Sequence, residues 1–171
     1  RVAIQVIPGL SAMQAAAARA GAPLGHDFAV LSLSDLLTPW PRIERRLSAA
    51  AEADFVICLY NPASERRREP LNRAVSILLA HRPPETPVIV ARNLGREGET
   101  VNATTLGALQ PATIDMLSIV IIGNSQTRVT TSGEHRWVYT PRGYAAKHQD
   151  HSKRPIPAPG AVAVAHQRQS D

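Results

Sequence analysis

The chain of 171 residues contains a single cysteine, Cys58, which lies within the apolar run 55–59. One cysteine cannot form a disulfide within the chain, and it nearly excludes a cysteine-based metal site. A lone cysteine in an apolar run is typical of a small buried hydrophobic side chain. The lack of a disulfide framework fits a reducing compartment, and we therefore expect a cytoplasmic protein.

Aromatic residues and long apolar runs are also scarce. Aromatic side chains make up 4% of the chain, which leaves few platforms on which nucleic-acid bases could stack. The apolar runs stay below the roughly 18 residues that a membrane-spanning helix needs. We therefore expect neither a nucleic acid nor a membrane as a partner.

The net charge of +5 is small and is divided between two parts of the chain. Residues 145–171 hold four basic and two acidic side chains, so they carry +2 and residues 1–144 carry +3. That value is below the strongly basic surface of a typical nucleic-acid-binding domain. Residues 145–171 are rich in Pro, Ala, His and Gln without periodicity, which predicts a disordered tail after one folded domain at 1–144.

Patterns that would indicate a familiar catalytic or metal centre are missing. Residues 1–144 contain no His pair at metal-ligand spacing, no Ser-His-Asp order and no Walker-type loop. The pair His26-Asp27 fits a surface turn better than an acid/base pair. We therefore predict no metal site and assign no catalytic residue.

The order of apolar and amphipathic segments predicts an α/β fold. The runs 55–59 and 119–122 are continuously apolar, which is typical of strands covered on both faces. Strands alternate with helical segments along the chain, as they do in sheets flanked by helices. Predicted strands span 2–7, 28–33, 55–60, 88–91, 118–122 and 136–139, and predicted helices span 11–20, 41–51 and 64–81, with a short helical turn at 105–109.

Three of the predicted strands are followed by loops rich in small and polar residues, at 8–13, 60–64 and 92–100. Ligands bind at the carboxyl ends of strands in open α/β sheets, so these loops predict one crevice. Asn61 precedes Pro62, which predicts an extended backbone at Asn61. For the third loop, a plain hairpin with solvated charges remains the alternative.

Several of these segments resemble the tetrapyrrole (corrin and sirohaem) methyltransferases. Residues 7–12, Ile-Pro-Gly-Leu-Ser-Ala, resemble the opening of that family's second domain. Residues 59–61 stand where the family usually has Leu-Tyr-Met, and residues 93–95 stand where relatives tend to have Asn-Ala-Thr. The Gly-Asn-Ser segment at 123–125 and the Thr-Pro-Arg-Gly-Tyr segment at 140–144 also fit the family.

The resemblance spans about residues 2–144 and implies a mixed sheet flanked by helices, like the C-terminal domain of the class III methyltransferases. It implies S-adenosylmethionine as the methyl donor and a tetrapyrrole as the substrate. The segments 59–64 and 91–99 are most similar to members that methylate C-17 of a precorrin-3B-type ring and contract it, in cobalamin biosynthesis. The substrate could be metal-free or cobalt-bearing.

The resemblance also implies roles for individual residues. Asn61 in place of Met and Leu94 in place of Ala depart from the family pattern and put side-chain contacts there in doubt. Arg92 and Arg96 would bind carboxylate arms of the substrate, because a guanidinium is a planar, charged donor. By position, the cofactor-binding residues would be Ser11, Ala12, Tyr60, Asn61, Asn93, Leu94 and Gly95, largely through backbone groups.

The first domain of that family, with its Gly-Pro-Gly turn and Gly-Asp-Pro motif, has no counterpart in the printed residues. Because Arg1 directly precedes a predicted strand, we expect a longer chain, and the resemblance implies that this longer chain forms a homodimer. We expect the printed chain alone to bind S-adenosylmethionine weakly or not at all. Two alternatives remain: an inactive truncated form of such an enzyme, and a related RNA 2′-O-methyltransferase, which the low charge and few aromatics disfavour.

Overall fold

The computed structural model describes residues 2–63, 69–133 and 135–143. Helices and strands alternate up to residue 92, as the sequence predicts, and the elements from there to residue 139 are strands and one short 3-10 turn. The elements are α1 (Ala12–Ala20), β1 (Gly21–Ala22), β2 (Phe28–Ser32), α2 (Trp40–Glu52), β3 (Val56–Tyr60), α3 (Glu69–Leu79), β4 (Pro87–Arg92), β5 (Thr100–Thr105), a 3-10 turn (Pro111–Thr113), β6 (Ser118–Ile122), β7 (Arg128–Ser132) and β8 (His135–Tyr139).

Five strands form the main sheet in the order β2-β3-β6-β4-β5. β2 and β3 are parallel, whereas β6 runs antiparallel to both β3 and β4, and β5 runs antiparallel to β4. All five residues of β6 are buried, as its continuous apolar run predicts. The predicted mixed α/β sheet is therefore confirmed.

Helices α2 and α3 cover one face of the main sheet. Ile43 and Leu47 form the buried stripe of α2, and Leu71 and Leu78 do the same for α3. They pack in one cluster with sheet residues such as Leu59. The helical periodicity of the sequence therefore places the apolar side of each helix against the sheet.

Helix α1 and a second sheet, in the order β1-β8-β7, cover the opposite face. Ser11 caps α1, since its side chain accepts a hydrogen bond from the Gln14 N–H in a capping box. Gly21 ends the helix with φ of 128°. A Cβ on Gly21 would lie 2.6 Å from the Val138 carbonyl oxygen, so only glycine fits between α1 and β8.

Two of the predicted elements are wrong. Residues 2–7 are not a strand, and Val2, Ile4 and Val6 are 86–88% exposed. β-Branched residues favour an extended backbone, but a strand also needs a neighbour, and no described strand pairs with this segment. Residues 105–109 form a hydrogen-bonded turn after β5 rather than a helical turn, and the 3-10 turn follows at 111–113.

Strands β1, β5 and β7 are absent from the predicted elements, and all three are edge strands. β1 has only two residues, Gly-Ala, while β5 and β7 have mostly polar residues, Thr-Val-Asn-Ala-Thr-Thr and Arg-Val-Thr-Thr-Ser, so none shows a clear apolar pattern. The predicted start of the third helix at 64–68 and the predicted tail at 145–171 lie outside the described residues. Within the described residues, no helix is both long and apolar enough to cross a membrane.

Candidate functional site

The carboxyl ends of β3 and β4 lie at the same edge of the main sheet, because both strands run antiparallel to β6, which lies between them. Tyr60 ends β3 and Arg92 ends β4. The Tyr60 hydroxyl oxygen accepts a hydrogen bond of 3.0 Å from the Met13 N–H in the first turn of α1. This contact joins the loop that follows residue 7 to the same edge.

A cleft of about 210 Å³ opens at this edge of the sheet. Its walls come from the start of α1, the loops after β3 and β4, and the first residues of β6 with those before them. We call it the edge cleft. It is lined by Ala12, Tyr60, Asn61, Asn93, Leu94, Arg96, Met116, Leu117, Ser118 and Ile119.

The edge cleft brings together residues from all three predicted loops. Five of the seven residues expected to bind the cofactor line it: Ala12, Tyr60, Asn61, Asn93 and Leu94. The other two stand beside lining residues. Ser11 is the N-cap of α1, and Gly95 lies in the turn after Leu94.

Asn61 and Asn93 each follow a strand directly and share an unusual backbone. Their φ angles are 50° and 53°, in the left-handed region, where Asn is tolerated better than most residues. The prediction of an extended backbone at Asn61 is therefore wrong. The Asn61 side-chain amide donates to the Ser32 hydroxyl at 3.0 Å, and the Asn93 N–H donates to the Leu117 carbonyl at 3.1 Å. These bonds hold the sharp turns that form the wall of the cleft.

Residues 93–99 connect β4 to β5, so by topology this loop is a hairpin, which the sequence left open. It contains two successive turns, in which the Arg96 N–H donates to the Asn93 carbonyl at 2.9 Å and the Glu99 N–H donates to the Arg96 carbonyl at 3.2 Å. Gly95 and Gly98 have φ of 71° and 73°. The hairpin loop thus contributes Asn93, Leu94 and Arg96 to the cleft.

The two arginines predicted to bind carboxylates lie apart. Arg96 lines the edge cleft, whereas Arg92 lines a different cavity of about 310 Å³ beside Thr100 and Asn102. Alternate residues of a strand face opposite sides, so Arg92 shares the side of Val90, toward α2 and α3. The structure therefore does not bring the two guanidinium groups into one pocket.

Arg92 forms an ion pair with Asp115, with 2.8 Å between Nε and Oδ2. Asp115 also accepts hydrogen bonds from the Ser118 hydroxyl at 2.8 Å and the Leu117 N–H at 3.0 Å. Burial alone would raise the pKa of Asp115, but the bonds from Arg92, Ser118 and Leu117 outweigh it and lower that pKa. The ionised carboxylate holds the turn that leads into the cleft.

No motif in the sequence indicated that residues 116–119 would form a wall of the cleft. Met116 and Leu117 are about half exposed, which is the kind of apolar exposure that a ligand or partner can cover. The adjacent Ile-Asp-Met-Leu stretch has no motif or periodicity that distinguishes it from an ordinary loop. His26 and Asp27 lie away from the cleft lining, and no group of three metal-ligating side chains occurs among the described residues.

Comparison with known proteins assigns this chain to a family. The model of the tetrapyrrole (corrin/porphyrin) methylases matches residues 1–110. A protein of Salmonella typhimurium named "Probable cobalt-factor III C(17)-methyltransferase" is 50% identical over 143 residues, which are 84% of this chain and 58% of the relative. The precorrin-3B C(17)-methyltransferase of Sinorhizobium sp is 48% identical over 149 residues, 86% of this chain and 59% of the relative.

A solved structure supports the same assignment. The crystal structure of the methyltransferase CobJ matches with a TM-score of 0.74 and 40% identity, over 81% of this chain and 56% of that one. The chain spans a little over half the length of these relatives. The residues matched by the family model include the Ile-Pro-Gly-Leu-Ser-Ala segment, whose Ala12 lines the edge cleft, and the hairpin loop, which forms another wall. The chain belongs to the tetrapyrrole (corrin/porphyrin) methylase family.

Proposed function

We propose that this chain is the cleft-forming part of an S-adenosylmethionine-dependent methyltransferase that acts on C-17 of a precorrin-3B-type tetrapyrrole, with ring contraction, in cobalamin biosynthesis. The observation that carries the proposal is the 48–50% identity with two proteins named C(17)-methyltransferases. One of these names specifies cobalt-factor III and the other precorrin-3B. Cobalt-bearing and metal-free rings are therefore both candidate substrates.

The edge cleft suits one part of the methyl donor. Its walls combine apolar side chains, such as Leu94 and Met116, with backbone groups at the two left-handed asparagines. A pocket that encloses a ligand of drug size has a volume of roughly 300–1,000 Å³, whereas the edge cleft has about 210 Å³. These residues would hold part of S-adenosylmethionine and leave the rest for other groups of the protein.

The sulfonium of S-adenosylmethionine, when bound, supplies an activated methyl group. The residues of the cleft would then contribute by orienting donor and ring carbon, since placement of two reactants in line is itself a large source of rate acceleration. Arg96 lines the cleft, where it would meet a substrate carboxylate. Arg92 forms an ion pair with Asp115 and lines the other cavity. In this proposal it therefore binds a carboxylate arm of the substrate only outside the edge cleft.

An activity assay tests the proposal. The protein encoded by the complete reading frame that contains this chain would be incubated with S-adenosylmethionine and either precorrin-3B or cobalt-factor III. We expect a ring-contracted product with one additional methyl group, identified by mass spectrometry and NMR. Methylation of RNA, or methylation of a tetrapyrrole at another position, would overturn the assignment of substrate, and inactivity on both rings would support an inactive form.

Calorimetry tests the contribution of the printed chain. Because the edge cleft encloses only part of a ligand of this size, we expect residues 1–171 alone to bind S-adenosylmethionine weakly or not at all. Micromolar affinity for the isolated chain would contradict this expectation. Dimerisation of the longer protein and its cytoplasmic location belong to the same proposal, and light scattering and cell fractionation check them.

A further inference from the structure

The carboxylate of Glu99 joins two parts of the edge cleft that are distant in sequence. Its Oε2 accepts a hydrogen bond of 2.6 Å from the Gly95 N–H, within the hairpin loop. Its Oε1 accepts a bond of 2.7 Å from Nε of Arg19, in the last turn of α1. One side chain therefore closes the hairpin loop on itself and fastens it to a helix.

Both elements that Glu99 joins carry residues of the cleft wall. Leu94 and Arg96 flank Gly95 in the loop, and Ala12 is the first residue of α1. Arg19 itself lies at the other end of α1, away from the cleft lining. Since an α-helix moves as a rigid unit over two turns, a bond at Arg19 fixes the loop relative to Ala12.

The hairpin loop needs such a restraint. Gly95 and Gly98, with positive φ, give its backbone more freedom than other residues would. The pKa of Glu99 is lowered, first by the Gly95 N–H and then by Arg19, so the carboxylate stays charged at neutral pH. Without it, the loop would have to be ordered when the ligand binds, and the affinity would fall accordingly.

We propose that Arg19 and Glu99 are a positioning pair that sets the affinity of the edge cleft for the methyl donor, by holding the hairpin loop against α1. Neither side chain lines the cleft, so we assign both a positioning role and no contact with the reacting atoms. The inference rests on the proposed function, because it takes the methyl donor as the ligand of the cleft.

The test uses the protein encoded by the complete reading frame, with Glu99→Gln, Arg19→Met and the double variant. Gln keeps the shape of Glu but cannot accept both bonds as a charged group. The control variants are Glu97→Gln, an exposed glutamate of the same loop, and Arg45→Met, an exposed arginine of α2. Calorimetry measures the Kd for S-adenosylhomocysteine, and kinetics give KM for S-adenosylmethionine and for the tetrapyrrole together with kcat.

We expect each single variant to raise the Kd and the KM for S-adenosylmethionine roughly fivefold, the upper range for an exposed ion pair. The kcat and the KM for the tetrapyrrole should stay unchanged, as should all constants of the control variants. The Kd of the double variant should be no higher than that of Glu99→Gln, because the two residues act through one contact. The positioning pair would be refuted if kcat fell as much as the affinity, or if the losses of affinity in the two single variants added up in the double variant.

A second measurement separates this inference from the proposed function. Hydrogen exchange of residues 93–99, without any ligand, should be faster in Glu99→Gln and Arg19→Met than in the parent protein and the two controls. If the parent protein binds no S-adenosylhomocysteine, the proposed function fails whatever the exchange shows. If the parent binds it and exchange in the loop does not change, the positioning pair fails alone.

Discussion

Polar residues are arranged differently at the two edges of the main sheet where the strands end. At the edge where β3 and β4 end, polar residues such as Asn61, Asn93 and Arg96 surround the edge cleft. At the other edge, polar residues are buried and bond to one another or to backbone carbonyls. We call these the open edge and the closed edge. The comparison separates polar residues that line a cleft from polar residues that stabilise the fold.

The closed edge centres on Arg82, which is 5% exposed. Its guanidinium donates to the carbonyl oxygens of Gly123 and Phe55, at the end of β6 and before β3. Asp54, next to Phe55, accepts bonds from the Ser125 N–H at 2.9 Å and the Ser125 hydroxyl at 2.6 Å. These bonds tie the strand ends together and leave the closed edge filled by its own side chains.

A chain of hydroxyls connects the closed edge to the second sheet. The Asn124 N–H donates to the Thr127 hydroxyl at 2.8 Å, which lies 2.9 Å from the Thr140 hydroxyl. The Thr140 hydroxyl donates its proton to the Pro23 carbonyl at 2.7 Å, and the Thr127 hydroxyl donates to Asn124 Oδ1 at 3.2 Å. Asn124 and Thr140 belong to two segments that the sequence singled out, 123–125 and 140–144, and Thr127 connects them in a structural role at this edge.

The largest effect is expected from Arg82→Met. The variant leaves the buried Gly123 carbonyl and the partly buried Phe55 carbonyl without their charged donor, which should lower the free energy of unfolding by about 3 kcal/mol. The matched variant at the open edge, Arg92→Met, removes only a half-exposed ion pair and should cost below about 1 kcal/mol. Urea unfolding of both variants measures the difference, and equal losses would erase the contrast between the edges.

Thr140→Val should have the next largest effect and lower the free energy of unfolding by about 2 kcal/mol, because the Pro23 carbonyl is then buried without its donor. Val has nearly the shape of Thr, so little packing is lost. Thr131→Val, on the exposed strand β7, is the control and should change the stability by less than about 0.5 kcal/mol. Thermal unfolding of the two variants decides whether the hydroxyl chain stabilises the closed edge, and a neutral Thr140→Val would show that it does not.

At the open edge, the left-handed backbone of Asn93 gives a smaller and more specific effect. Asn93→Ala should lower the free energy of unfolding by about 1 kcal/mol, because Ala has a Cβ but no amide that favours this conformation. Asn93→Gly has no Cβ and should cost less than the Ala variant. Chemical denaturation ranks the two, and a Gly variant less stable than the Ala variant would show that the backbone of Asn93 is unstrained.

The sequence predicted the buried strands and the helices better than the open edge, for a physical reason. Burial on both faces requires continuous apolar residues, so β3 and β6 were visible as runs. The amphipathic stripes of α2 and α3 were equally clear, and Ser11 and Gly21 marked the ends of α1 correctly. Local patterns of this kind are set by neighbours a few positions apart in the chain.

The parts that sequence did not predict depend on contacts between distant residues. Arg92 pairs with Asp115, 23 positions later, and Arg19 with Glu99, 80 positions later. Neither pairing leaves a pattern within a short window, so the sequence predicted the same role for Arg92 and Arg96 and missed the partner of Arg92. The side chain of Asn61 bonds to Ser32 on another strand, which the rule for residues before proline does not consider.

The smallest effect concerns Asp115, and its dependence on pH gives it a clear signature. The folded pKa of Asp115 is lowered, so its ion pair with Arg92 stabilises the protein fully above the unfolded pKa of about 4 and loses that effect as pH falls through the folded value. Because the pair is half exposed, Asp115→Asn should lower the free energy of unfolding by less than about 1 kcal/mol at about pH 7. The decrease should be smaller at about pH 3. Glu85→Gln, an exposed carboxylate beside β4, makes the same change in charge and should show no such trend. Urea unfolding at both pH values measures the two differences. A cost that persists in acid would mean that Asp115 acts through its shape and hydrogen bonds rather than its charge, and the open edge would then resemble the closed one.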